Sequence, residues 1–108
     1  MIPGAFDYYA PASLEEALSL LSNNLDGAKI LAGGQSLLPL MKLRLAKPDV
    51  IIDIGGLPEL SYIREEGDHI AIGALTTYTE LAESGLIMNR SPLLAQAAMV
   101  VGDVQVRN

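Results

Sequence analysis

Leu14, Ala17, Leu18 and Leu21 recur at i, i+3, i+4 and i+7, which predicts one apolar stripe of an amphipathic helix. Ser13-Leu14-Glu15-Glu16 reads as its capping box, with Ser13 as N-cap and Glu16 reaching back, and Asn23, Asn24 and Gly27 stop it. Before it, Phe6 to Tyr9 is a short run of aromatic β-formers ended by Pro11. After it, the mostly apolar run Ala28 to Ala32 predicts a buried strand feeding the Gly33-Gly34 turn. Ser36 is placed to cap a second helix from Leu37 to about Leu45, with Pro39 tolerated in its first turn. Lys42, Arg44 and Lys47 crowd its C-terminal end, where the helix dipole favours cations, and Pro48 forbids continuation. Val50 to Ile54 is the third β-rich run.

Strand, helix, strand, helix, strand implies parallel strands joined by right-handed crossovers. The second half changes character. Tyr62 to Glu65 and His69 to Gly73 flank Glu66-Gly67-Asp68 as a hairpin. Thr77-Tyr78-Thr79-Glu80 is a second capping box, opening a short helix that ends near Gly85. Ser91-Pro92 opens a last helix reaching about Val101. The fold class expected is therefore α/β (α+β): a parallel βαβαβ subdomain over residues 1–55, then the beginning of an incomplete antiparallel α+β subdomain over 56–108.

The last helix has almost no polar face, since Leu93, Leu94, Ala95, Ala97, Ala98, Met99, Val100 and Val101 surround Gln96. Such a helix must be covered on most sides. Either a partner or second copy packs on 93–101, or the sequence is a fragment of a longer chain.

Composition then removes function classes. At 108 residues there is room for one modest core. A formal net charge of −6 argues against a nucleic-acid partner, whose phosphates demand a basic surface. The absence of Cys excludes disulfides and thiolate-held clusters. One histidine, His69, leaves no zinc site and no Ser-His-Asp machinery, so no metal ligand and no catalytic side chain is assigned. No signal peptide precedes the first strand, and no apolar run approaches the roughly 20 residues of a membrane span. The chain reads as soluble and cytoplasmic. Glu15, Glu16, Glu65 and Glu66 are explained by capping and turn chemistry, and the four tyrosines form no stacking platform.

The chemistry concentrates at Leu31, Ala32, Gly33, Gly34, Gln35, Ser36 and Leu37. A strand end, two glycines and a helix start turn several backbone N–H groups toward one concave surface, which suits a phosphate or pyrophosphate. Gln35 and Ser36 add side-chain donors. A tight strand-to-helix connection meets the same pattern, and a short glycine motif alone favours that plainer reading. A Rossmann fingerprint is absent because G-x-G-x-x-G is not completed, although Asp53 stands about 20 residues beyond the glycines. Asp53 is better read as ending its strand or capping the following turn. Walker A fails too, for want of Gly-Lys-Ser/Thr.

Ala-Gly-Gly-Gln-Ser-Leu-Leu-Pro-Leu-Met-Lys-Leu-Arg-Leu, residues 32–45, closely resembles the FAD-binding (medium) subunits of molybdenum hydroxylases, among them the carbon monoxide dehydrogenase medium chain and the xanthine dehydrogenase FAD subunit. The resemblance continues through Pro48 to Ile54, Ile72 to Thr77 and Val101 to Asn108, so it covers the whole chain. It implies a fold shared with vanillyl-alcohol oxidase and p-cresol methylhydroxylase, with FAD held between a parallel and an antiparallel unit. It further implies that residues 31–37 bind the FAD pyrophosphate. Electrons would come from an iron–sulfur small subunit, fed by a molybdopterin large subunit, and leave for an external acceptor. The family's second pyrophosphate loop, of Thr-Ile-Gly-Gly type, normally follows the segment matching Val106-Arg107-Asn108, so an N-terminal fragment is expected. The rival expectation is a folded, non-catalytic remnant that associates without flavin. A third is a phosphate-binding module for another nucleotide.

Overall fold

The computed structural model describes residues 5–34, 37–43 and 45–101. Strands β1 (Asp7–Tyr9), β2 (Ala28–Leu31) and β3 (Val50–Asp53) form a parallel sheet in the order β1-β3-β2. Val50, Ile51 and Ile52 are buried in succession, as a central strand covered on both faces requires, and Ile54 and Leu57 extend the core beyond it. The edge strands are the more exposed ones, β1 along its whole length.

Helix α1 (Leu14–Asn23) packs against β3, and its buried face is centred on Ala17, with Leu20, Leu21 and Asn24 half-buried. The expected stripe is therefore rotated: Leu14 and Leu18 are 40% and 58% exposed. Ser13 caps as expected, its hydroxyl accepting from the Glu16 N–H at 3.1 Å. The box is not reciprocal, because the Glu16 carboxylate accepts instead from the Ala12 N–H at 2.9 Å, one residue ahead of the cap. Helix α2 (Leu37–Lys42) is shorter than expected and buries Met41. Its chain then tightens, with the Leu45 and Ala46 N–H groups both donating to the Leu40 carbonyl. Ser36, its expected cap, lies outside the described residues, as does Arg44.

The chain divides into two compact units between Pro58 and Glu59, inside a 3-10 turn, Pro58–Leu60. In the second unit, β4 (Ile63–Glu66) and β5 (His69–Ile72) pair antiparallel through the two-residue turn Gly67-Asp68, with Gly67 at φ +63°. Helix α3 (Tyr78–Glu83) carries the full Thr77/Glu80 capping box. It ends at Glu83, close to the Gly85 end expected. A helix absent from the sequence reading, α4 (Gly85–Arg90), starts there, because the Ser84 hydroxyl accepts from the Ile87 N–H at 3.2 Å and caps a new start.

Helix α5 (Pro92–Met99) follows with Pro92 in its first turn, but Ser91 makes no side-chain cap. The Ser91 carbonyl accepts instead from Leu94 and Ala95. Leu81, Ile87, Ala95 and Ala98 form the core, with Ile63, Ile70, Ala82 and Leu94 packed against it. Only the alanine side of α5 is buried; Leu93, Met99 and Val100 are 76%, 62% and 79% exposed. No helix among the described residues is long and apolar enough to cross a membrane.

Candidate functional site

The glycine loop leaves the carboxyl edge of the parallel sheet, the edge where ligands of open α/β sheets collect. Leu31 ends β2 opposite Asp53, and its carbonyl accepts from the Ile54 N–H at 3.0 Å. Ala32 and Gly33 are exposed, Gly34 is buried and Leu37 is half-buried. Both glycines sit at φ +81°, a conformation strained for any residue with a Cβ.

Their reasons for being glycine differ. At Gly34 a Cβ would stand 2.6 Å from Leu38 Cδ1 and 3.1 Å from Leu31 Cδ1, so the hydrogen is demanded by packing of the loop on its own strand and helix. The Gly34 carbonyl also accepts from the Leu38 N–H, joining the loop to the first turn of α2. At Gly33 nothing lies within 4 Å of the Cβ position. Packing makes no demand there, and the bare backbone faces open space. Of the seven expected site residues, Leu31, Ala32, Gly33, Gly34 and Leu37 lie on one strand–loop–helix connection; Gln35 and Ser36 lie outside the described residues. At six residues α2 contributes little macrodipole, so a ligand here would be held chiefly by loop N–H groups.

On the same edge, Asp53 caps the following turn, Oδ1 accepting from the Gly55 N–H at 2.9 Å. Its other oxygen accepts from the Tyr8 hydroxyl, tying β1 to β3, a pairing the sequence reading did not make. That hydrogen bond holds the Tyr8 phenol above its ordinary pKa; desolvation and the Asp53 charge push the same way.

The segment 72–77 has an internal role. A Cβ on Gly73 would lie 2.1 Å from the Leu60 carbonyl oxygen, so only glycine fits. The Thr76 hydroxyl accepts from the Tyr62 N–H and donates to the Tyr62 carbonyl, at 3.2 and 2.9 Å. His69 is exposed and faces Glu66 and Asp68 with different ring nitrogens. Among the described residues no three His, Asp or Glu side chains form a metal-binding group.

Comparison with known proteins agrees with this architecture. Residues 4–108 match the family model described as the FAD binding domain in molybdopterin dehydrogenase. The chain is 53% identical over 108 residues to the carbon monoxide dehydrogenase medium chain of Hydrogenophaga pseudoflava, covering all of this chain and 38% of that protein. It is 44% identical, with the same coverage of both, to the glyceraldehyde dehydrogenase medium chain of Sulfolobus acidocaldarius. The solved structure of the Hydrogenophaga pseudoflava carbon monoxide dehydrogenase superimposes with a TM-score of 0.90 over the whole of this chain and 38% of that one. The chain thus spans well under half the length of these relatives. It belongs to the family of FAD-binding domains of molybdopterin dehydrogenases, the FAD-binding subunits of the molybdenum hydroxylases.

Proposed function

We propose that this chain serves as the FAD-holding electron-transfer module of a cytoplasmic molybdenum hydroxylase. An iron–sulfur small subunit, supplied by a molybdopterin large subunit, would deliver electrons to it, and an external acceptor would remove them. The observation that carries the reading is Gly33, held at φ +81° at the carboxyl edge with its backbone bare and nothing within 4 Å of its Cβ position. Residues 31–37 would hold the pyrophosphate: Gly33 lets the ligand approach, Gly34 seats the loop on Leu31 and Leu38, and the loop N–H groups supply donors. In this division of labour the parallel subdomain, 1–55, carries the loop, and 56–108 form a separate α+β subdomain. FAD when bound supplies the redox chemistry, and the chain binds and orients it without any catalytic side chain of its own.

The test is a titration of the chain with FAD, followed by flavin absorption and fluorescence and by the unfolding temperature. Saturable binding is expected, with stabilisation of about 2.7 kcal/mol at a free concentration 100-fold above Kd. Gly33→Ala should weaken binding more than it lowers stability. Unchanged spectra and unfolding temperature at high FAD would overturn the reading. Competition with ATP separates it from a site for another nucleotide.

A second reading, a folded module that associates without flavin, is favoured by the exposed Leu93 and Met99 of α5 and Val100 just after it, beside a cavity of about 220 Å³ lined by Thr79, Ala82, Glu83, Ala98 and Met99.

A further inference from the structure

Cations are scarce in this chain, 7 Lys and Arg against 13 Asp and Glu, and they are unevenly placed. No Asp or Glu occurs between Asp26 and Asp49, yet Lys29, Lys42, Arg44 and Lys47 all fall there. Lys42, the last residue of α2, and Lys47 just beyond it are exposed. Neither meets a carboxylate among the described residues, whereas Arg64 and Arg90 of the second unit are ion-paired to Glu66 and Glu65. Leucines interleave with these lysines: Leu40, Leu43 and Leu45 are 42%, 61% and 73% exposed. They stand on bonded backbone, since the Leu43 N–H donates to Pro39 and the Leu45 N–H to Leu40, at 3.1 and 2.8 Å.

The topology sets this surface apart from the glycine loop. β2 and β3 are parallel, so α2 must return the chain from the carboxyl edge at Leu31 to the amino edge at Val50. Leu43 and residues 45–47 therefore approach the opposite edge of the sheet.

We infer that Leu40, Lys42, Leu43, Leu45 and Lys47 form a docking surface for a protein partner that presents carboxylates around an apolar patch. Local charge chooses this occupant. Two copies meeting through the same patch would set lysine against lysine. An anionic membrane would be repelled by the net charge of −6, and its usual docking sequences carry about 4–8 clustered cations. An acidic, apolar protein surface satisfies both halves of the patch: leucine burial supplies affinity, and the unpaired lysines supply orientation and encounter rate. The inference rests on the multi-subunit reading for its probes.

The probes are the iron–sulfur and molybdopterin subunits of the host's own complex, each purified and titrated against the chain. The expected result is binding of one of them, weakened at least about tenfold by K42E/K47E, with most of the salt dependence between about 50 and 500 mM lost. L43S/L45S should weaken it comparably at low salt. Zero-length carbodiimide coupling should join Lys42 or Lys47 to an Asp or Glu of the bound subunit. Unchanged unfolding temperatures and FAD titrations in both variants separate loss of docking from loss of the fold or of the flavin reading. Undiminished binding in both variants overturns the surface and leaves the partner reading standing. Failure of the unsubstituted chain to bind either subunit overturns the docking itself. Binding to phosphatidylserine vesicles, or self-association in sedimentation, that K42E/K47E abolishes would reassign the patch and overturn it as well.

Discussion

Two adjacent glycines with the same φ obey different constraints, and substitution should separate them. Gly33→Ala incurs the left-handed strain alone, about 1 kcal/mol. Gly34→Ala incurs similar strain plus a clash with Leu31 and Leu38, for about 3 kcal/mol in all. Chemical denaturation of the two variants should show this ordering, and FAD titration the reverse emphasis, with Gly33 the more sensitive relative to its stability loss. Gly73→Ala should be more damaging than Gly34→Ala, because its neighbour is the Leu60 carbonyl and backbone cannot rotate aside as the Leu38 side chain can. The glycine pair and its neighbourhood were legible in the sequence. The distinction between them was not, since it depends on which side chains fold back over the turn. Tyr8 gives a pH test. Its folded pKa is raised above the ordinary 10.0, so the stability from its bond to Asp53 is complete below pH about 10 and is lost as pH rises through the folded value. The stability gap between the unsubstituted chain and Tyr8→Phe should accordingly be present at pH 8 and shrink above pH 10 in urea titrations.

At the scale of elements, caps decide boundaries more sharply than apolar periodicity does. Thr77 and Glu80 form the reciprocal box that the spacing S/T-x-x-E announces, while Ser13 and Glu16, with the same spacing, do not, because Glu16 bonds to Ala12 instead. The spacing names the partners, but the backbone direction before the cap decides which N–H the carboxylate reaches. Ser84 is the converse case. It lies in a stretch that reads as the fraying end of one helix, yet its hydroxyl starts another. Ser84→Ala should destabilise the second unit by about 1 kcal/mol, read as an earlier thermal transition. Asp53 was legible as a turn cap because an acid directly after an apolar strand and before two glycines has the Gly55 N–H within reach.

For the whole molecule, the exposed side of α5 is the unresolved demand of the second unit. Alanines face the core and leave the larger Leu93, Met99 and Val100 outward. Their area should drive association, so Leu93→Ser with Val100→Ser should lower the sedimenting mass or raise solubility of the isolated chain while leaving its unfolding temperature nearly unchanged. The sequence by itself determined the alternation of strands and helices, the parallel-to-antiparallel change and the place of the glycine loop, because periodicity, capping residues and glycine positions act over a few neighbours. The family was legible for a related reason, several short motifs standing in fixed order along the chain. Only the tertiary structure decided that β3 lies between β1 and β2, that Tyr8 reaches Asp53, and that α1 and α5 bury their alanine faces and leave leucines outside. Those outcomes depend on which surfaces meet across tens of residues, and local pattern carries no record of the partner against which a face will pack.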